Sequence, residues 1–125
     1  MGLGAGQTII FTIDSLSLGT GGQHFVHMPY RGRVISLHSR VNTVLTGADC
    51  IITAKIEGTL VVGLGFTITQ SGSAVGDLDS DTPTAAAKNA AGGYFEAGEA
   101  VEVESNGGAT LGAASFTLVV SAQDR

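Results

Sequence analysis

At 125 residues the chain is the size of one domain, and 43% of it is hydrophobic, enough for a real core. Its formal net charge is −5 and its six Lys and Arg form no run, which excludes the basic patch of a nucleic-acid binder and argues against an anionic membrane surface. Only 14% of residues are charged, against about 25% in typical soluble domains, so part of the surface is expected to be covered by other protein.

Residues 1–6 are Gly-rich and without periodicity, so residues 1–7 read as a flexible arm and residues 8–125 as a single domain. No positive n-region or apolar h-region marks a signal peptide, and the expected product is made and used without Sec export. No apolar run is long enough to span a membrane as a helix.

Residues 8–14 alternate, with Ile9, Phe11 and Ile13 on one face and Ile10 interrupting the polar face. Residues 18–23 are turn chemistry. A short strand over residues 24–28 is stopped by Pro29. Residues 33–41 predict a strong strand with Ile35, Leu37 and Val41 inward. Residues 42–49 read as a loop carrying an apolar plug, Val44 and Leu45. Residues 50–57 place Cys50, Ile52, Ala54 and Ile56 inward, and Thr53, Lys55 and Glu57 outward.

Gly58 permits a tight turn into a strand over residues 59–62, and Leu64, Phe66 and Ile68 alternate in the next. Residues 71–93 are the least regular part: an acidic run through Asp77, Asp79 and Asp81, then Pro83, then an Ala-rich stretch over residues 85–91 that predicts one or two helical turns. Tyr94 and Phe95 anchor the return. Residues 100–105 form a strand with Val101 and Val103 in and Glu102 and Glu104 out. Asn106-Gly107-Gly108 is a turn signal, and residues 116–122 are the last strand. The sum is an all-β chain of about eight strands, an antiparallel β-sandwich or jelly roll. An immunoglobulin-like sandwich is the second choice, without its Cys–Trp–Cys hallmark.

No constellation carries chemistry. The acidic run fails the EF-hand pattern, since Thr82 and Lys88 occupy the positions that require Gly and Glu. In an extended strand His24 and His27 point to opposite faces, so they do not chelate together. Cys50 is alone and in a buried phase, which rules out a disulfide framework and disfavours a nucleophile. Ser, His and Asp residues occur without a nucleophile elbow. The Gly-rich arm is no dinucleotide fingerprint. Catalytic, cofactor and metal sites are therefore expected to be absent, and the chain is not expected to be an enzyme.

PYRGRVISLHSRVNTVLTGADCIITAKIEGT, residues 29–59, resembles the front half of small virion proteins of tailed phages. ITQSGSAVGDLDSDTPTAAAKNAAGGYFEAGEAVEVESNGG, residues 68–108, is similar to their return segment. The family is that of jelly-roll head decoration (cement) proteins, and the resemblance covers residues 24–122. It implies a homotrimer that binds the major capsid protein on the outer head surface, a virion location after synthesis in the host cytoplasm, and no nucleic-acid or membrane partner. Candidate contact residues are Gly2 and Leu3 of the arm and Val44 and Leu45 of the plug, within the weakly charged fragment 41–48. Two alternatives differ in class. A receptor- or glycan-binding module of a tail fibre or baseplate would usually offer more aromatic platforms than Tyr30 and Tyr94. A cupin-like metalloenzyme would need converging His and carboxylate ligands.

Overall fold

A computed structural model describes residues 7–85 and 87–122. Nine strands follow one another along the described residues: β1 (Gln7–Ser17), β2 (Gly22–His27), β3 (Gly32–Thr46), β4 (Cys50–Ile56), β5 (Thr59–Ile68), β6 (Leu78–Asp81), β7 (Tyr94–Phe95), β8 (Ala100–Ser105) and β9 (Leu111–Ala122). A single 3₁₀ turn, Ala90–Gly92, precedes β7.

The strand pairs are nested. β4 and β5 form the innermost hairpin, and β3·β6, β2·β8 and β1·β9 enclose it in turn, all antiparallel. Successive pairs alternate between two sheets, so the chain is a long ribbon wrapped over itself. β9 also pairs with β3, and β8 with β4, which joins the wraps side by side. The resulting orders are β1-β9-β3-β6, with β7 added on β3, and β2-β8-β4-β5. This is the jelly roll that the spacing predicts, with nine strands where about eight are expected.

Alternation decides which side chains fill the space between the sheets. Ile13, Leu37, Ile52, Ile56, Leu64, Ile68, Phe116 and Leu118 are among the fully buried. Val101 and Val103 of β8 and Cys50, Ile52, Ala54 and Ile56 of β4 face inward as their phase requires. Burying a side chain of this size stabilises the fold by roughly 1.5–3 kcal/mol relative to leaving it exposed.

Several elements differ from the sequence expectation, each for a physical reason. Residues 42–46 are not loop: β3 runs on to Thr46, and Leu45 lies in the core at 1% exposure. A 15-residue strand stays on a twisted sheet only by adjusting register, and β3 shifts three times against β9. The shift between Val34 and Ser36 turns Val34 inward and leaves Ile35 exposed, the reverse of the predicted phase. β5 is one strand, not two, with Gly63 at φ 82° where the register against β4 slips. Glu57 is not a strand residue. It stands with Gly58 in a two-residue hairpin loop, at φ 48° and 85°, as a type I′ turn requires.

The acidic run forms β6 on the edge of β3. The Ala-rich stretch yields only the 3₁₀ turn, capped by the Asn89 side chain on Ala91 N–H and ended by Gly93 at φ 90°. A few alanines between Pro83 and two glycines are too short to meet the cost of nucleating a helix.

Candidate interaction surfaces

Apolar side chains fill the space between the sheets, which leaves the outer faces, edges and ends of the sandwich as the main surfaces for contact. No group of three His, Cys, Asp or Glu placed to hold a metal occurs among the described residues. None of their helices is long and apolar enough to cross a membrane. Cys50 is buried and its Sγ sits 3.1 Å from Ser105 Oγ and 3.4 Å from Asn106 Oδ1. Ser105 in turn donates to the Ser17 carbonyl at 2.8 Å. This polar knot ties β1, β4 and β8 together.

Two carboxylates of the acidic run accept from backbone N–H groups. Asp77 accepts from Ala74 N–H at 2.8 Å, and Asp81 from Thr82 N–H at 2.8 Å and Gly65 N–H at 3.4 Å. Asp79 pairs across from the buried Ser39. Burial, and then the neighbouring Asp77, holds the Asp79 carboxyl above its ordinary value of 3.8. A cleft of about 190 Å³ opens there, lined by Val41, Ile68, Thr69, Ser71, Asp77, Leu78 and Asp79.

One outer face belongs to the β1-β9-β3-β6 sheet. Register aligns Ile10, Val119 and Ser36 in one row, and Thr12, Thr117, His38 and Ser80 in the next. Arg40 follows, between Ser115 and Leu78, and Arg33 stacks 5.2 Å from the Tyr94 ring centroid. Ile10 and Leu78 are 62% and 75% exposed. This face is neutral to basic.

The other outer face belongs to the β2-β8-β4-β5 sheet. One row reads Phe25, Glu102, Lys55, Leu60, and the next Gln23, Glu104, Thr53, Gly65. Phe25 and Leu60 are about half exposed. Glu104 is well served: Lys55 Nζ lies 3.3 Å away and Gln23 Nε2 donates at 3.4 Å. Glu102 is not. It is buried, and its Oε2 has no hydrogen-bond partner. The sequence placed Glu102 outward but carried no sign that its neighbours would bury it.

A third surface lies at one end of the sandwich. There β3 passes Thr46 opposite Leu111, and the 71–77 segment runs beside Val41 and Leu45 through Val41 N–H to Asp77, Gly76 N–H to Val41 and Ser73 to Leu45. Val44, Val75 and Leu111 are exposed there. Of the predicted contact pair, Val44 is on this surface and Leu45 is in the core behind it. Gly2 and Leu3 lie outside the described residues.

No family model matches the chain, and no curated protein does. Among solved structures, a chain of the acid-stable capsid of Helicobacter pylori bacteriophage KHP30 superposes with a TM-score of 0.56 at 8% identity, over 94% of each chain. A chain of the cyanophage Pam1 capsid asymmetric unit superposes with a TM-score of 0.51 at 14% identity, over 98% of this chain and 90% of that one. Dimeric latent PorU of Porphyromonas gingivalis reaches a TM-score of 0.49 at 9% identity, over 97% of this chain and 13% of its own. The two capsid matches establish that this jelly roll occurs end to end in small chains of comparable length.

Proposed function

We propose that this chain is a phage virion structural protein that decorates a head, binding the outer capsid surface as a trimer and stabilising it. The observation that carries the reading is the near-complete two-way coverage by chains of two phage capsid structures. The chain's own chemistry agrees with a contact role. Its composition is poor in charge, and Asp77 and Asp81 of the acidic run accept from backbone N–H groups.

In this reading the exposed end with Val44, Val75 and Leu111 makes the contact between copies, and Leu45 acts from beneath by fixing the position of Val44. Gly2 and Leu3 add contacts to the shell in the same reading. A trimer bound to a regular lattice gains by avidity what each contact lacks in strength. Light scattering on the purified chain should return three times the chain mass. Heads of the encoding phage, stripped of this protein, should take it up to a saturating stoichiometry. A chain that remains monomeric at high micromolar concentration and leaves stripped heads unoccupied refutes the proposal.

A further inference from the structure

β1 is an outermost strand of its sheet, and among the described residues its one ladder partner is β9. From Gln7 to Ile13 the register with β9 is unbroken and no side chain is charged. The first charge, Asp14, stands at the bulge between Ile13 and Leu16 that ends the flat part. A row of unpaired N–H and C=O groups on a flat, uncharged edge is a template for a further strand. The other edges are less open. β6 is four residues long with two aspartates, and β5 is covered where Thr84 N–H donates to the Val62 carbonyl and Gly65 N–H to Asp81. β2 is six residues long and carries His24 and His27.

The stretch from Gln7 to Ile13 is its own complement. Its middle residue is Ile10, and Thr8-Ile9-Ile10-Phe11-Thr12 reads Thr, apolar, Ile, apolar, Thr from either end. Antiparallel pairing of two copies about Ile10 sets Thr8 against Thr12, Ile9 against Phe11 and Ile10 against its own copy. Thr–Thr and aromatic–β-branched pairs are among those that stabilise a sheet. Pairing about Phe11 instead would set Thr8 against Asp14. Both faces gain from the Ile10 register. Ile9 and Phe11 pack against the core but are only partly buried, and across the seam each meets the other. On the outer face Ile10, 62% exposed beside Val119, is covered by the second Ile10. A foreign strand finds no charge on this edge by which it could be selected. A second copy finds its own pattern returned.

We propose that the β1 strands of two copies pair antiparallel about a two-fold axis at Ile10, which joins their β1-β9-β3-β6 sheets into one. The contact is isologous and closes at two. It does not rest on the decorating role. Ile10 faces Val119, near the opposite end of β9 from Leu111, so the seam and the exposed end with Val44 are separate places and can be occupied together. A seam of one short strand falls short of the roughly 800 Å² per partner of a standard interface, so in solution it forms as a concentration-dependent step. That step runs from three chains to six where the trimer forms, and from one to two where it does not.

Cysteine cross-linking tests the symmetry. Directly opposed residues of antiparallel strands have Cα atoms about 4.5–5.5 Å apart, within disulfide reach. Mild oxidation of Ile10→Cys should therefore join most chains in pairs on a non-reducing gel. Two Thr12→Cys positions lie roughly 13 Å apart across the seam and should stay unjoined. A mixture of Thr8→Cys and Thr12→Cys should join, because these two are opposed. Cys50 is buried and takes no part. No joining of Ile10→Cys, or equal joining of Thr12→Cys alone, overturns the inference. Sedimentation supplies the second reading. The mass of the unmodified chain should double reversibly as concentration rises, and Ile10→Lys, which opposes two ammonium groups at an exposed position, should abolish the doubling with its melting unchanged. A mass that never doubles, or doubles equally in Ile10→Lys, overturns the inference. If Ile10→Cys stays unjoined while Ile10→Lys loses uptake by stripped heads, the edge takes a strand of the shell, and the inference fails while the decorating role stands. If the cross-link forms and stripped heads take up nothing, the decorating role fails and the seam stands.

Discussion

Glu102 and Glu104 are two residues apart on one strand and face the same way, yet replacing each by glutamine should move stability in opposite directions. In Glu102→Gln a desolvated carboxylate oxygen without a donor is exchanged for a neutral amide of the same shape. An unsatisfied buried polar group costs about 1–3 kcal/mol, and more when charged. The amide still lacks a full set of partners, so a net gain of about 1 kcal/mol is expected. With an unfolding entropy near 2.1 cal/mol/K per residue, that gain raises Tm by roughly 4 °C for a chain this size. Glu104→Gln loses the ion pair to Lys55 and weakens the bond from Gln23, both partly solvated, and should cost about 0.5 kcal/mol and lower Tm by about 2 °C. Differential scanning calorimetry at neutral pH and low salt, with urea midpoints as a check, reads both signs. If Glu102→Gln melts at or below the unmodified chain, the carboxylate is already satisfied in solution and the reasoning from its burial is refuted.

The plug residues separate cleanly. Leu45→Ala should cost about 3 kcal/mol in urea denaturation, as large-to-small core changes do, whereas Val44→Ala should leave stability within about 0.5 kcal/mol and instead lower the mass seen by light scattering. Two glycines with left-handed φ separate in the same way. Gly58→Ala meets no neighbouring atom and should cost about 1 kcal/mol, while Gly63→Ala also drives a methyl into the Thr84 side chain and should cost at least about 2 kcal/mol by the same assay. The raised pKa of Asp79 means that its folded form favours the proton. Its contribution is full below pH 3.8, and is lost as pH rises through the raised folded value. Asp79→Asn should therefore raise the urea midpoint at pH 7 and confer no such gain at pH 3; a gain of equal size at both refutes the assignment.

The sequence is legible wherever one periodicity runs uninterrupted between turn signals. The strand β4 alternates strictly, and Val101 and Val103 of β8 and Phe116, Leu118 and Val120 of β9 turn inward as their phase predicts, although β9 begins at Leu111, ahead of the expected residue 116. Legibility fails where pairing overrides local preference. Asp79 and Asp81 are poor strand residues, and β6 exists because β3 presents an open edge to it. Ile35 is misphased by a bulge that only the partner strand β9 reveals. The fragment 42–46 has the polar look of a loop at Asn42 and Thr43, but Leu45 is held in the core and the strand is carried on with it. The exposed end was partly readable, since Val44 stands out as an apolar residue among polar ones. The state of Glu102 was not readable at all. Its burial comes from neighbours on two other strands, β2 and β4, far from it in the chain.

The two outer faces differ in how water meets them. The β1-β9-β3-β6 face carries Thr, Ser, His38 and Arg40, side chains that are content in water, and its exposed apolar groups Ile10 and Leu78 lie towards opposite edges. The β2-β8-β4-β5 face sets an unsatisfied carboxylate oxygen in an interior strand, under the chain's own side chains, and half-exposed apolar side chains, Phe25 and Leu60, on the strands around it. Water solvates the first as it stands and does not reach the Glu102 Oε2 of the second, so the cost of that oxygen falls on the fold itself.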